Sequence, residues 1–130
     1  ITPTPPPTSA PVQVTQPIQP TPTPTPTQIP SPTPNPDTSS PIVSITYPSN
    51  GTILKRNVTI TITASATDNI GVLRVEFLVN NSLICTDTTS AYSCSWKVPG
   101  KRNATYTITA RAYDAAGNIA SSSVAVKSSK

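Results

Sequence analysis

From Asn57 to Gly71 apolar and polar residues alternate: Val58, Ile60, Ile62, Ala64 and Ala66 share one parity, and Thr59, Thr61, Thr63, Ser65 and Thr67 share the other. A period of two predicts a half-buried antiparallel strand, whose apolar face a second sheet must cover. The same alternation recurs three times. It places Leu73, Val75, Phe77 and Val79 inward in a strand over Val72–Val79. It puts Tyr92, Cys94 and Trp96 on one parity of Tyr92–Val98, and Tyr106, Ile108, Ala110 and Ala112 inward in Ala104–Asp114. Shorter strands are predicted over Ile42–Tyr47, Ser82–Asp87 and Ile119–Lys127, the last with Val124 and Val126 inward. Turn residues separate them: Ser49-Asn50-Gly51, Asp68-Asn69-Ile70-Gly71, Asn80-Asn81, Pro99 to Asn103, and Ala115 to Asn118.

Seven short strands at this spacing predict an all-β fold, a seven-stranded antiparallel immunoglobulin-like β-sandwich over residues 42–130. Residues 1–41 are of another kind. They hold 15 of the chain's 17 prolines, interleaved with Thr and Ser, and too little apolar surface to build a core. An extended polyproline-type stalk or linker is the expectation, with a reach of roughly 120 Å at about 3.1 Å per residue. Thr21, Thr23, Thr25, Thr27, Ser31 and Thr33 are acceptors for O-linked sugar in this reading; a bare interdomain linker is the other. Val12, Val14 and Ile18 are the segment's few apolar handles.

Composition narrows the chemistry. There is no His and no Met, only two Cys, and only five Asp and Glu, so no nucleophile, base and orienting group can be assembled and no His-based zinc set exists. The chain reads as a non-enzyme with no organic cofactor. Nine Lys and Arg give a net charge of +4, without the dense basic face and interleaved aromatics of a nucleic-acid binder. No apolar run reaches the length of a membrane span or signal peptide, and the absence of an initiator Met fits a processed or excised piece.

The run DNIGVLRVEFLVNNSLICTDTTSAYSCSW followed by YTITARAYDAAGNIA resembles the bacterial Ig-like domains, modules of secreted and surface proteins with an Ig or fibronectin-III-like fold. The resemblance covers residues 41–127, with Val75-Glu76-Phe77, Asp87-Thr88-Thr89 and Ala112 to Asn118 its most specific parts. It implies a non-catalytic spacer or adhesion module. This chain departs from the pattern in having Cys85 and Cys94 where Gly and an aromatic are expected.

Three candidate sites follow. Cys85 and Cys94 lie on consecutive predicted strands; paired as a hairpin, with Asp87 facing Tyr92 across a four-residue turn, they can form a disulfide, which places the chain in an oxidising, extracellular compartment. Two buried thiols are the alternative. Asn50, Asn57, Asn80 and Asn103 each head an N-glycosylation sequon, and threading the strands up and down brings all four to one pole. The opposite pole gathers Asp68, Asn69, Asp87, Asp114 and Asn118, oxygen ligands suited to Ca²⁺ but equally suited to Asx turns without a metal.

The threading also sends Lys55, Arg56, Lys97, Lys101, Arg102, Lys127 and Lys130 to the sequon pole. Such a domain is electrically polar, and head-to-tail contact between copies is attractive at screened, surface strength. The first functional expectation is an extracellular structural glycoprotein, a cell-surface or filament subunit whose partners are copies of itself or other surface proteins. The alternatives are an accessory module of a larger secreted hydrolase and an adhesin that binds glycans or receptors through the loops at Asn69, Thr89 and Ala116.

Overall fold

The computed structural model describes all 130 residues as two units, Ile1–Thr33 and Pro34–Lys130. Residues 1–33 form no strand or helix, and all are exposed, Val12, Val14, Ile18 and Ile29 among them. Proline removes the backbone donor that a strand ladder or helix needs, and it recurs here too often for either to start.

Pro34–Lys130 contains β1 (Ile42–Tyr47), β2 (Ile53–Leu54), β3 (Thr59–Thr67), β4 (Val72–Val79), β5 (Ser82–Asp87), β6 (Tyr92–Lys97), β7 (Thr105–Asp114) and β8 (Ile119–Ser128). They form two sheets, β1-β3-β6 and β2-β8-β7-β4-β5. This is the immunoglobulin-like sandwich that the alternation predicts, with an eighth strand added. At two residues β2 is too short to show a period; it runs parallel to the end of β8 and buries Leu54.

The core lies between the sheets. Ile62 and Ala64 of β3 and Cys94 and Trp96 of β6 face Val75 and Phe77 of β4 and Ile108, Ala110 and Ala112 of β7, with Val126 closing one side. The Trp96 and Tyr106 rings meet edge to face, centroids 5.4 Å apart at 70°, an arrangement that adds to the area they bury.

Two residues expected inside are outside. Leu73 is 49% exposed, because β4 bulges there: Val72 pairs with Asp114 and Arg74 with Tyr113, so Leu73 is the extra residue and the period slips. Val58 is 39% exposed, because Asn57 takes a left-handed φ of 60° and β3 starts only at Thr59.

Candidate functional site

Cys85 and Cys94 form a disulfide, with Cα atoms 6.2 Å apart and no free cysteine remaining. The hairpin geometry expected for it is not what the fold builds. β5 pairs with β4, placing Cys85 opposite Phe77, whereas β6 pairs with β3, placing Cys94 opposite Ile62. The bridge therefore joins the two sheets along one edge of the sandwich. Two consecutive strands that switch sheets cannot share a ladder, and local sequence carries no mark of that switch.

Asp87, freed from a hairpin, caps the connection instead: it accepts hydrogen bonds from Thr89 N and Ser93 N, both at 2.9 Å. The Thr89 bond, then the Ser93 bond, hold its carboxyl below the usual carboxylate range against an opposing contribution from desolvation. Of the residues proposed for a metal, Asp87 is thus not among those brought together. Asp68 and Asp114 are, and the third carboxylate is Asp37, with ligand oxygens of all three within 4.8 Å of one another. Asp37 lies in the Pro/Thr stretch, where composition masked it. Its local signal is the Asx turn in Asp37-Thr38-Ser39, where Ser39 N donates to Asp37 Oδ1 at 3.0 Å.

Turn chemistry fixes each acid. Asp68 Oδ2 accepts from Ile70 N and Gly71 N at 2.9 and 3.0 Å. Asp114, only 3% exposed, accepts from Asn118 N at 2.8 Å and from Asn118 Nδ2 at 2.7 Å. Burial pushes the Asp114 carboxyl up, but the Asn118 side chain and the Asn118, Gly117 and Ala116 amides outweigh it and the net direction is down. Asn69 Nδ2 donates to Asp37 Oδ1 at 3.2 Å and Asn118 Nδ2 to Asp37 O at 3.1 Å. Both asparagines therefore act as braces between segments, with their amide nitrogens turned to the acids.

The far end is basic. Asn57 N bonds Val98 O, Asn80 N bonds Thr107 O and Asn103 N bonds Ser129 O, while Asn50 Oδ1 accepts from Ala125 N at 2.9 Å. These bonds set all four sequon asparagines, each exposed, at one end. Three of them, Asn57, Asn80 and Asn103, have φ of 60°, 50° and 51°, a region Asn enters more readily than other L-residues. Arg56 ties the loops together there, donating to Gly100 O at 3.2 Å and Lys130 O at 3.1 Å. With Lys97 opposite Thr59 and Lys127 opposite Ile53, seven of nine Lys and Arg gather at this end, and Asp37, Asp68, Asp87 and Asp114, four of five acids, at the other.

The remaining charges form a cluster that one-dimensional patterning did not single out. Arg74 Nε meets Glu76 Oε1 at 3.0 Å and its guanidinium stacks 3.8 Å over the Tyr113 ring, while Tyr113 OH donates to Glu76 Oε2 at 2.9 Å. Glu76 also faces Arg111 across the β4–β7 ladder. An open groove of about 460 Å³ is lined by Thr46, Thr63, Ser65, Thr67, Ser90 and Ser93 with alanine methyls and Tyr92. It presents hydroxyls and no carboxylate, amine or thiol.

Two sheets in this order, closed over an apolar core and gathering most of their charges toward the two ends, define an immunoglobulin-like module. The bacterial Ig domain family matches residues 41–110, and the chain belongs to it. Among solved structures, the chain is similar to the fibronectin(III)-like modules of Clostridium thermocellum CbhA, at 27% identity and a TM-score of 0.62 over 69% of this chain. The chain spans 47% of the length of that structure. No curated protein matches the chain. No helix is long and apolar enough to cross a membrane.

Proposed function

We propose that the chain is a non-catalytic extracellular structural module, acting as a cell-surface or filament subunit through contacts at its two ends. The observation that carries this reading is the separation of charge, with seven cations at one end and four carboxylates at the other. Opposed ends of one molecule are complementary to those of a second copy, so head-to-tail association is favoured and weakens as salt screens it. The disulfide supports an oxidising, extracellular setting. Exposed sequons at Asn50, Asn57, Asn80 and Asn103 and exposed hydroxyls at Thr21, Thr23, Thr25, Thr27, Ser31 and Thr33 are the proposed glycan sites.

Sedimentation velocity at low and high salt tests the reading, with electron microscopy of the low-salt sample. Concentration-dependent elongated oligomers that dissociate in salt are expected; a monomer under both conditions removes the subunit role. Intact mass of protein from its native source, compared with the sequence mass, tests the glycans. A second reading, an accessory module of a larger secreted protein such as a hydrolase, is favoured by the likeness to fibronectin(III)-like modules and by the span of 47%. A catalytic domain in the same open reading frame would establish it.

A further inference from the structure

Asp37, Asp68 and Asp114 reach one point from three separate segments: the stretch before β1, the β3–β4 turn and the last residue of β7. Their oxygens lie within 4.8 Å of one another, yet no Lys or Arg forms an ion pair with any of them. Like charges this close repel strongly outside bulk water.

The second observation concerns individual oxygens. Asp37 Oδ2 and Asp68 Oδ1 are shielded from solvent and have no hydrogen-bond partner. Each belongs to a carboxylate whose other oxygen is already held, Asp37 Oδ1 by Ser39 N and Asn69 Nδ2, and Asp68 Oδ2 by Ile70 N and Gly71 N. Asp114, almost wholly buried, is braced on both oxygens by Asn118. An ionised oxygen buried without a partner is costly. Two such oxygens, on the half-buried Asp37 and Asp68, beside the buried carboxylate of Asp114 leave a place that a cation satisfies. The braces also do for the acids what an outer shell of donors does for metal ligands, orienting each group toward one point.

We propose that Asp37, Asp68 and Asp114 form a Ca²⁺ site that fastens the chain before β1 and the ends of both sheets together. The donor set is all oxygen, with no thiolate or imidazole, which selects hard cations over zinc or copper. Ligands on two irregular segments and one strand end fit Ca²⁺, which accepts six to eight oxygens in loose geometry and completes its shell with carbonyls and water, better than Mg²⁺, which demands a strict octahedron. β1 and β3 belong to one sheet and β7 and β8 to the other. The ion therefore clamps one end of the sandwich, as the disulfide clamps one edge, and makes stability depend on external calcium.

Calorimetric titration of Ca²⁺ into the chelated full chain, with thermal unfolding in chelator and in Ca²⁺, tests the site. One ion per chain is expected, with Kd on the order of 10⁻⁴ M, as for other extracellular modules. At a hundredfold excess over Kd, Tm should rise by roughly 10 °C. Asp37 lies outside every strand, so Asp37→Asn should keep the fold and lose both the heat and most of the Tm rise. Its Tm in chelator should equal or exceed that of the unaltered chain. Asp87→Asn should keep the full Ca²⁺ response. No saturable heat up to about 10 mM Ca²⁺, well past the affinities of such modules, or an undiminished response in Asp37→Asn, overturns the proposal.

Discussion

The two ends of the sandwich solve the same problem, reversing a strand in a few residues, with different side chains. At the basic end the chain turns on asparagines at positive φ, at Asn57, Asn80, Asn81 and Asn103. At the acidic end it turns on aspartates that accept backbone N–H groups, at Asp68, Asp87 and Asp114. Asn tolerates the left-handed region and is uncharged; Asp captures amide protons best when ionised. The choice of turn device thus sets the charge. One end is left to its lysines and arginines, while the other accumulates carboxylates, two of which hold buried oxygens that no protein group satisfies. The electrical asymmetry of the module arises from turn chemistry more than from the strands.

The largest expected effect should leave this contrast untouched. Trp96→Ala removes a core ring packed on Tyr106 and should cost about 3–5 kcal/mol in urea unfolding, while the salt dependence proposed for head-to-tail association should be the same in the folded variant as in the unaltered chain. Loss of that dependence would mean that the ends are not independent of the core. Replacing both cysteines by serine frees the edge at Cys85 and Cys94 and should cost roughly 2–3 kcal/mol; an unchanged urea midpoint would show the bridge to be idle.

The two turn devices separate next. Asn80→Ala leaves a φ of 50° to a residue that enters the left-handed region less readily than Asn and removes the acceptor of Thr107 N, at a cost of about 1–2 kcal/mol. Asp68→Asn keeps a side-chain oxygen for Ile70 N and Gly71 N and relieves repulsion, so in chelator it should cost under about 0.5 kcal/mol. Equal costs would erase the distinction between the ends.

The smallest effect is a pH slope. Because Thr89 N and Ser93 N depress the folded pKa of Asp87 below its unfolded value, its contribution is present above about pH 4 and fades as pH falls through the folded pKa. Stability of Asp87→Asn, measured by urea midpoints from neutral pH down to acid, should fall less steeply than that of the unaltered chain. An identical slope would show that these two bonds do not distinguish the ionised carboxylate.

Much of this was written in one dimension. The alternation in β3, β4, β6 and β7 sufficed for strand positions, inward faces and the sandwich class, because period-two burial is a local property of a pleated strand. Leu73 and Val58 escaped it. A bulge and a left-handed asparagine shift phase at one residue, which a pattern averaged over a strand does not register. Ile53–Leu54 escaped because two residues have no period.

The sites divide in the same way. The identity of both cysteines, the four sequons, and Asp68 and Asp114 could be read from local turn motifs and strand direction. That Cys85 reaches Cys94 across the two sheets, that Asp87 turns to its own loop, and that Asp37 leaves a proline-rich stretch to stand beside Asp68 and Asp114 were decided only in three dimensions. Each depends on which strands share a sheet. Sheet membership is settled by the packing of distant residues over a common core, so no window of neighbouring residues contains it.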